Sequence, residues 1–338
     1  VEAFSFLAAY RHHQEWLLEV PPSQAEPQPL DLAAVERIRA DAASTHRRAL
    51  TEMEVHTLLS VFGLPVAPAQ SADTLAEALS VARRLGFPVT LRSDTGESAP
   101  HLLVPEVREC LRDGRMLTRA WATMLGAPGN PYRRLPVIVA KERAFAGSEN
   151  FAIGICADAV FGSVITFGPN CAGGAADVVV LLPPLNLRLA RDAIRGTGML
   201  MALPDADAAD AATEALARIL VQVSALACAV PWVRTLALYP VRVDTDRAEI
   251  AGARVTIDAR AKPTARSYGH MAIHPYPVEM VADVALADGR HLRVRPIRPE
   301  DAEMERAFVN GLSEESRFFR FFYRLHELTP AMLARFTQ

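Results

Sequence analysis

Residues 158–192 read DAVFGSVITFGPNCAGGAADVVVLLPPLNLRLARD, and this stretch decides the fold. Asp158 to Gly162 has turn composition. Ser163 to Phe167 alternates as a strand, and Val178 to Leu182 returns as a second one that stops at Pro183-Pro184. Asn186 to Ile194 then takes a helical period. Working outward, Phe151 to Cys156 precedes the turn as a strand, and Ala209 to Leu226 follows as a helix. Trp232 to Leu238 and Arg254 to Asp258 read as closing strands. Strands and helices mixed in this way indicate an α/β unit.

The preceding hundred residues have the same texture. Asp31 opens a helix to about Ala42. Thr51 with Glu54 three residues later forms a capping box, and Val55, Leu58, Leu59 and Phe62 give the stripe of a helix that Gly63 ends. Val66 to Ala69 reads as a strand, Asp73 to Leu85 as an amphipathic helix stopped by Gly86, and Phe87 to Leu91 as the next strand. A weaker strand at 101–107, a helix from Met116 to Leu125 and a strand from Pro136 to Ala140 complete a first lobe. Residues 1–20 read as a short helix and 21–30 as a proline-rich linker. Residues 261–275 form a second linker. Arg290 to Arg295 begins a new strand, with helices at Glu300 to Leu312 and Pro330 to Phe336.

Composition narrows the class. The chain has 338 residues, half of them apolar, and a formal charge of -3, so no chain-wide field favours nucleic acid or an anionic membrane. Lys141 and Lys262 are its only lysines. Cys110, Cys156, Cys171 and Cys228 form no close pair, which excludes a zinc ribbon and a disulfide scaffold; burial is the expectation for each. No unbroken run reaches 18 apolar residues. A cytoplasmic protein without a membrane partner is the expectation.

The resemblance now has its residues. Gly63-Leu64-Pro65-Val66 followed by Gly86-Phe87-Pro88-Val89 resembles the opening of an ATP-grasp domain of the kind found in nucleoside-diphosphate-forming acyl-CoA synthetases. Asp158 to Gly162, Phe167-Gly168, Leu182 to Asn186 and Ala190-Arg191-Asp192 resemble its second half. Asp288-Gly289-Arg290, Val294 to Asp301, Leu312-Ser313 and Arg320-Phe321-Phe322 resemble the start of a GNAT acetyltransferase domain. Together they resemble bacterial protein lysine acetyltransferases that carry a synthetase-like region. The resemblance implies α+β lobes in a two-lobed ATP-grasp-like fold, followed by an incomplete GNAT-like segment. The implied divisions are a helical lead-in at 1–44 from a CoA-ligase-like region, a first lobe at 45–135 and a second lobe at 136–260. A linker at 261–287 and the GNAT segment at 288–338 follow.

Carried over position by position, the resemblance puts the family's first phosphate-binding lysine at Arg92. Lys141 stands after the position of a family glutamine, and Gly173-Gly174 stands at a glycine turn. These four residues are the candidate contacts for a nucleotide. Family positions of a histidine, a lysine and a glycine pair hold Pro100, His101, Pro105 and Glu106. A family glutamate falls at Asn150. A family metal-binding glutamate belongs to the same glycine turn, where Asp177 is the nearby acid; a second metal-binding acid and an asparagine fall at Ala237 and Tyr239, with Asp244 and Asp246 following. No catalytic residue and no metal site are assigned. Weak binding of ATP or another nucleotide stays open. Acetyl-CoA or another acyl-CoA is the implied cofactor of the longer enzyme, and a protein lysine its implied substrate. Self-association is a further expectation for segments with unpaired apolar faces. The implied function is a non-catalytic, regulatory or scaffolding region. The alternatives are the ATP-grasp region of an active synthetase and a nucleotide- or CoA-sensing module.

Two other groupings carry less. His270 and His274 are four apart, but Pro275 biases His274 away from helix, so both read as linker histidines, one of them packed on a lobe. Phe318, Phe321 and Phe322 have the spacing of a core stripe with arginines outward. Asp283 and Asp288 are expected to bound a turn.

Overall fold

The computed structural model describes residues 30–93, 107–125, 136–143, 149–169, 178–197, 206–244, 247–258, 270–273, 280–323 and 327–337, with Leu200, Ala261 and Leu325. Two compact units divide at Pro275 and Tyr276.

In the first unit, α1 (Leu32–Ser44) starts where the Asp31 carboxylate accepts from the Ala34 amide. At α2 (Glu52–Val61) the capping box forms in both directions: Glu54 N donates to Thr51, and Thr51 N donates to Glu54. β1 (Ala69–Ala72) starts three residues later than the sequence suggests. Val66 makes only one bridge, to Ile250, because Pro65 and Pro68 bracket it and proline has no donor for a ladder. α3 (Leu75–Leu85) begins at Thr74, whose hydroxyl accepts from Glu77 N. It ends at Gly86, where φ is +77°, a region open to glycine. β2 (Val89–Ser93), β3 (Val107–Leu111), α4 (Gly114–Leu125) and β4 (Val137–Lys141) follow. The small sheet runs β1-β4-β2-β3, all antiparallel. One face packs Val89, Leu91, Val137 and Val139 against α3 and α4 through Ala78, Ala82, Leu117 and Met124.

The large sheet is built from β5 (Glu149–Asp158), β6 (Gly162–Pro169), β7 (Val179–Leu181), β8 (Val233–Val243), β9 (Ala248–Ile250) and β10 (Ala253–Ile257). Its order is β10-β8-β5-β6-β7, and β9 pairs with the far half of β8. The helices α5 (Leu187–Gly196) and α6 (Ala206–Ala229) come between β7 and β8. Strand alternation puts Ile153, Ile155, Ile165, Phe167, Leu236, Leu238 and Val255 on one face, all buried. They pack with Leu216, Leu220 and Val223 of α6, and also with Val35 of α1 and Leu58 and Leu59 of α2. The first two helices therefore bury their apolar stripes in the large core. α6 is long and apolar enough to cross a bilayer, beyond what the sequence suggests, but its apolar positions fill this core. β9 escapes sequence reading because three residues carry too little period to be seen.

His270 and Met271 also join the first unit. Met271 is buried, and His270 Nε2 lies 3.0 Å from the Ala227 carbonyl; His274 lies outside the described residues. Cys228 is buried, and burial pushes its thiol up to about 12. Cys110 and Cys156 are exposed, against expectation: Cys156 alternates with the buried Ile155, and Cys110, with φ +55°, turns its thiol to Glu142 at 3.4 Å. Cys171 lies outside the described residues.

The second unit opens with a hairpin, β11 (Ala282–Ala285) against β12 (His291–Val294). Asp283 lies within β11 and so does not bound the turn; the turn runs from Leu286, with Asp288 capping Arg290 N at 3.0 Å. A 3-10 turn at Pro299–Asp301 leads into α7 (Ala302–Gly311), then α8 (Glu314–Phe321) and α9 (Pro330–Thr337). Val309, Leu325, Leu328 and Leu333 form the core, with Phe321 packed beside them. The expected Phe318–Phe321–Phe322 stripe does not form. Phe322 adopts φ +58° and ends α8, so its ring leaves the helix face and is 81% exposed; Phe318 is exposed as well.

Candidate functional site

The open face of the large sheet is the candidate ligand surface. Register places Arg254, Ala237, Gly154 and Thr166 side by side on β10, β8, β5 and β6. Thr256, Thr235 and Cys156 form the next row, where the two threonine hydroxyls lie 2.6 Å apart. Gly154 keeps this surface flat: a Cβ there would come within 2.6 Å of Thr166 Oγ1. Ala237 and Tyr239 are both exposed on the same face of β8. Neither has a carboxylate. Among the described residues, no three of His, Cys, Asp and Glu gather closely enough to hold a metal ion. The described residues of this face therefore supply no cluster of acidic oxygens of the kind that magnesium beside a triphosphate needs.

The two described cationic candidates are both engaged internally. Arg92 on β2 places Nη2 2.6 Å from Glu52 Oε1 at the start of α2, and its Nη1 donates to the Ala251 carbonyl between β9 and β10. Its side chain is 18% exposed, so this charge faces a carboxylate inside the unit. Lys141, the last residue of β4, donates from Nζ to the carbonyls of Gly86 and Phe87 at 2.9 and 3.0 Å. It clamps the turn between α3 and β2. The neighbouring Glu142 accepts from Cys110 N at 2.6 Å and from the Thr90 hydroxyl at 3.0 Å. Gly173 and Gly174 lie outside the described residues, as do Pro100, His101, Pro105, Glu106, Asp177 and Asp246. Asn150 is exposed opposite Arg242 in the β5–β8 ladder. Asp244 lies 4.0 Å from Arg247.

Sequence reading passed over Glu249 on β9. It is 3% exposed, directly opposite Arg242, and 3.5 Å from Arg143 Nη1. Burial pushes its carboxyl above the ordinary 4.5, opposed by Arg143, Arg242, Arg247 and Arg92. A glutamate between two apolar residues in Ala248-Glu249-Ile250, close after Arg242 and Arg247, is the signal that could have found it.

Comparison with known proteins agrees with this architecture. PH1788 from Pyrococcus horikoshii Ot3 superposes with a TM-score of 0.55 at 24% identity, covering 67% of this chain and 97% of that one. The dinucleotide forming acetyl-coenzyme A synthetase 1 of Ca. Korarchaeum cryptofilum, solved with coenzyme A, Ca-AMPCP and HgCl+, superposes at 0.57 and 20% identity, covering 66% and 99%. At these identities the likeness is one of fold. An acetyltransferase of Pseudomonas aeruginosa is 51% identical over 49 residues, which are 14% of this chain and 26% of that protein. The chain thus spans about a quarter of that relative's length in this match. The ATP-grasp domain family matches residues 41–257. With most of its length inside that match and two antiparallel sheets in the corresponding lobes, the chain belongs to the ATP-grasp domain family.

Proposed function

We propose that the ATP-grasp lobes form a module that holds a nucleotide or coenzyme A as an effector without turning it over. In this reading it belongs to a longer protein lysine acetyltransferase whose GNAT domain begins near residue 288 and uses acetyl-CoA or another acyl-CoA. The lobe divisions at 45–135 and 136–260, the lead-in at 1–44 and the linker at 261–287 belong to the same proposal. The observation that carries it is the engagement of Arg92 by Glu52 and of Lys141 by two backbone carbonyls. A triphosphate on its way to reaction needs several preorganised positive groups, and removing one such contact costs about 3 kcal/mol of barrier. The partial match to an acetyltransferase supports the coupling to acyl transfer. Titration calorimetry with ATP, ADP and CoA is the test: micromolar binding of one of them without ligand turnover is expected, and no binding of any would leave a scaffold.

A second reading is favoured by the nearly complete coverage of the synthetase from Ca. Korarchaeum cryptofilum. There the chain is the ATP-grasp region of an active acyl-CoA synthetase, which acid- and CoA-dependent release of ADP or AMP would establish.

A further inference from the structure

Glu249 is held in an unusual balance. Arg143, which follows β4, lies 3.5 Å from it, Arg242 of β8 stands opposite it in the ladder, and the charges of Arg92 from β2 and Arg247 from the approach to β9 also act on it. Three carboxylates face them. Glu52 meets Arg92 at 2.6 Å, Asp244 meets Arg247 at 4.0 Å, and Glu249 meets Arg143 at 3.5 Å. Among the described residues, these arginines outnumber these carboxylates by one. Glu249 also fits its place poorly. Its Oε2 is buried without a hydrogen-bond partner, although Arg143 lies within ion-pair distance. Guanidinium groups bind planar or tetrahedral oxyanions best through paired N–H···O contacts, which this carboxylate does not complete.

We propose that Arg143, Arg242 and Arg247 form a site for a phosphate monoester dianion, and that Glu249 is the internal anion that holds the site in its absence. The proposal rests on the effector reading above and names the part of the ligand that is recognised. A phosphate monoester offers three oxygens and up to two charges where Glu249 offers one charge and an unmatched oxygen. The side chains of Arg143 and Arg247 are 47% and 46% exposed, so a ligand reaches them from solvent. Asn150, exposed beside Arg242 in the same ladder, adds an amide to the rim. The raised affinity of Glu249 for a proton, set by its burial, lets it lose its charge as the dianion arrives. The binding is non-covalent and requires no metal.

The shared chemistry occurs at the 3′-phosphate of coenzyme A and at the phosphate of a nucleoside monophosphate. Calorimetry on the whole chain should compare CoA with dephospho-CoA, and AMP with adenosine. In the pair that supplies the ligand, the monoester-bearing member is expected to bind at least about tenfold tighter, the effect of one charge-assisted contact. Arg242→Ala should erase that difference, and Arg143→Ala, at an exposed position, should reduce it. Glu249→Gln should tighten binding, because it removes the competing anion while keeping the shape. Equal affinity within both pairs overturns the site but leaves the effector reading intact. So does a Glu249→Gln chain that folds and binds more weakly. Failure of all four ligands to bind the unsubstituted chain overturns both.

Discussion

The small and large sheets of the first unit place their positive charges differently. On the small sheet, Arg92 stands where the family resemblance puts a phosphate-binding lysine and Lys141 follows the position of a family glutamine, yet both are tied to partners inside the unit. On the large sheet, Arg254 is exposed on an open face beside Ala237 and Gly154, and Arg242 stands opposite Glu249 in the β8–β9 ladder. A charge at a family position can thus be engaged inside the fold instead of being held ready for a ligand. What decides is whether a carboxylate or a carbonyl has moved in beside it.

The sharpest way to break this contrast is Arg92→Ala. If Arg92 is an internal tie, its loss breaks a largely buried ion pair with Glu52 and should cost about 2–4 kcal/mol of stability in urea unfolding, with ligand affinity unchanged. Unchanged stability with lost affinity would make Arg92 a ligand contact. Lys141→Met tests the second tie. Two hydrogen bonds to the Gly86 and Phe87 carbonyls disappear, and a loss of about 1–2 kcal/mol is expected.

Titration sharpens the large-sheet side. Glu249 has its pKa raised in the folded chain, so above 4.5 the folded state holds a proton that the unfolded state has released. Its contribution is complete below 4.5 and is lost as pH rises through the raised value. The Glu249 component of the urea midpoint should fall across that range, against the rise that lowered carboxyls such as Glu54 contribute, and Glu249→Gln should remove the falling component. A slope unaltered by the substitution would refute the assignment. The smallest effect is expected at Arg254→Ala, an exposed strand position, where stability should change by less than about 0.5 kcal/mol. A larger loss would mean that the open face is structurally committed after all.

Much of this arrangement was legible in the sequence. The capping box at Thr51 and Glu54, the stripe at Val55, Leu58 and Leu59, and the strand pair around the Asp158–Gly162 turn all depend on neighbours within a few residues, and such local patterns survive in one dimension. The ordered glycine and proline signatures were enough to suggest two lobes. The candidate site was less legible. Arg92 meets Glu52 across 40 residues and Ala251 across 159, and nothing local announces either contact. Glu249 draws its meaning from arginines on two other strands and in two connecting segments, while its own strand is three residues long. Phe322 misled for a different reason: its spacing fits a helical stripe, but a left-handed backbone at that residue ends the helix.

The central claim is that the lobes can hold a ligand but do not carry out ATP-dependent acyl activation. Release of ADP or AMP from Mg·ATP, measured with the purified chain in the presence of CoA and a carboxylic acid, tests it most directly. The account predicts no acid- and CoA-dependent release. Turnover of about 1 per second, the low end of ordinary enzymes, that disappears in Arg92→Ala while the fold survives would contradict it.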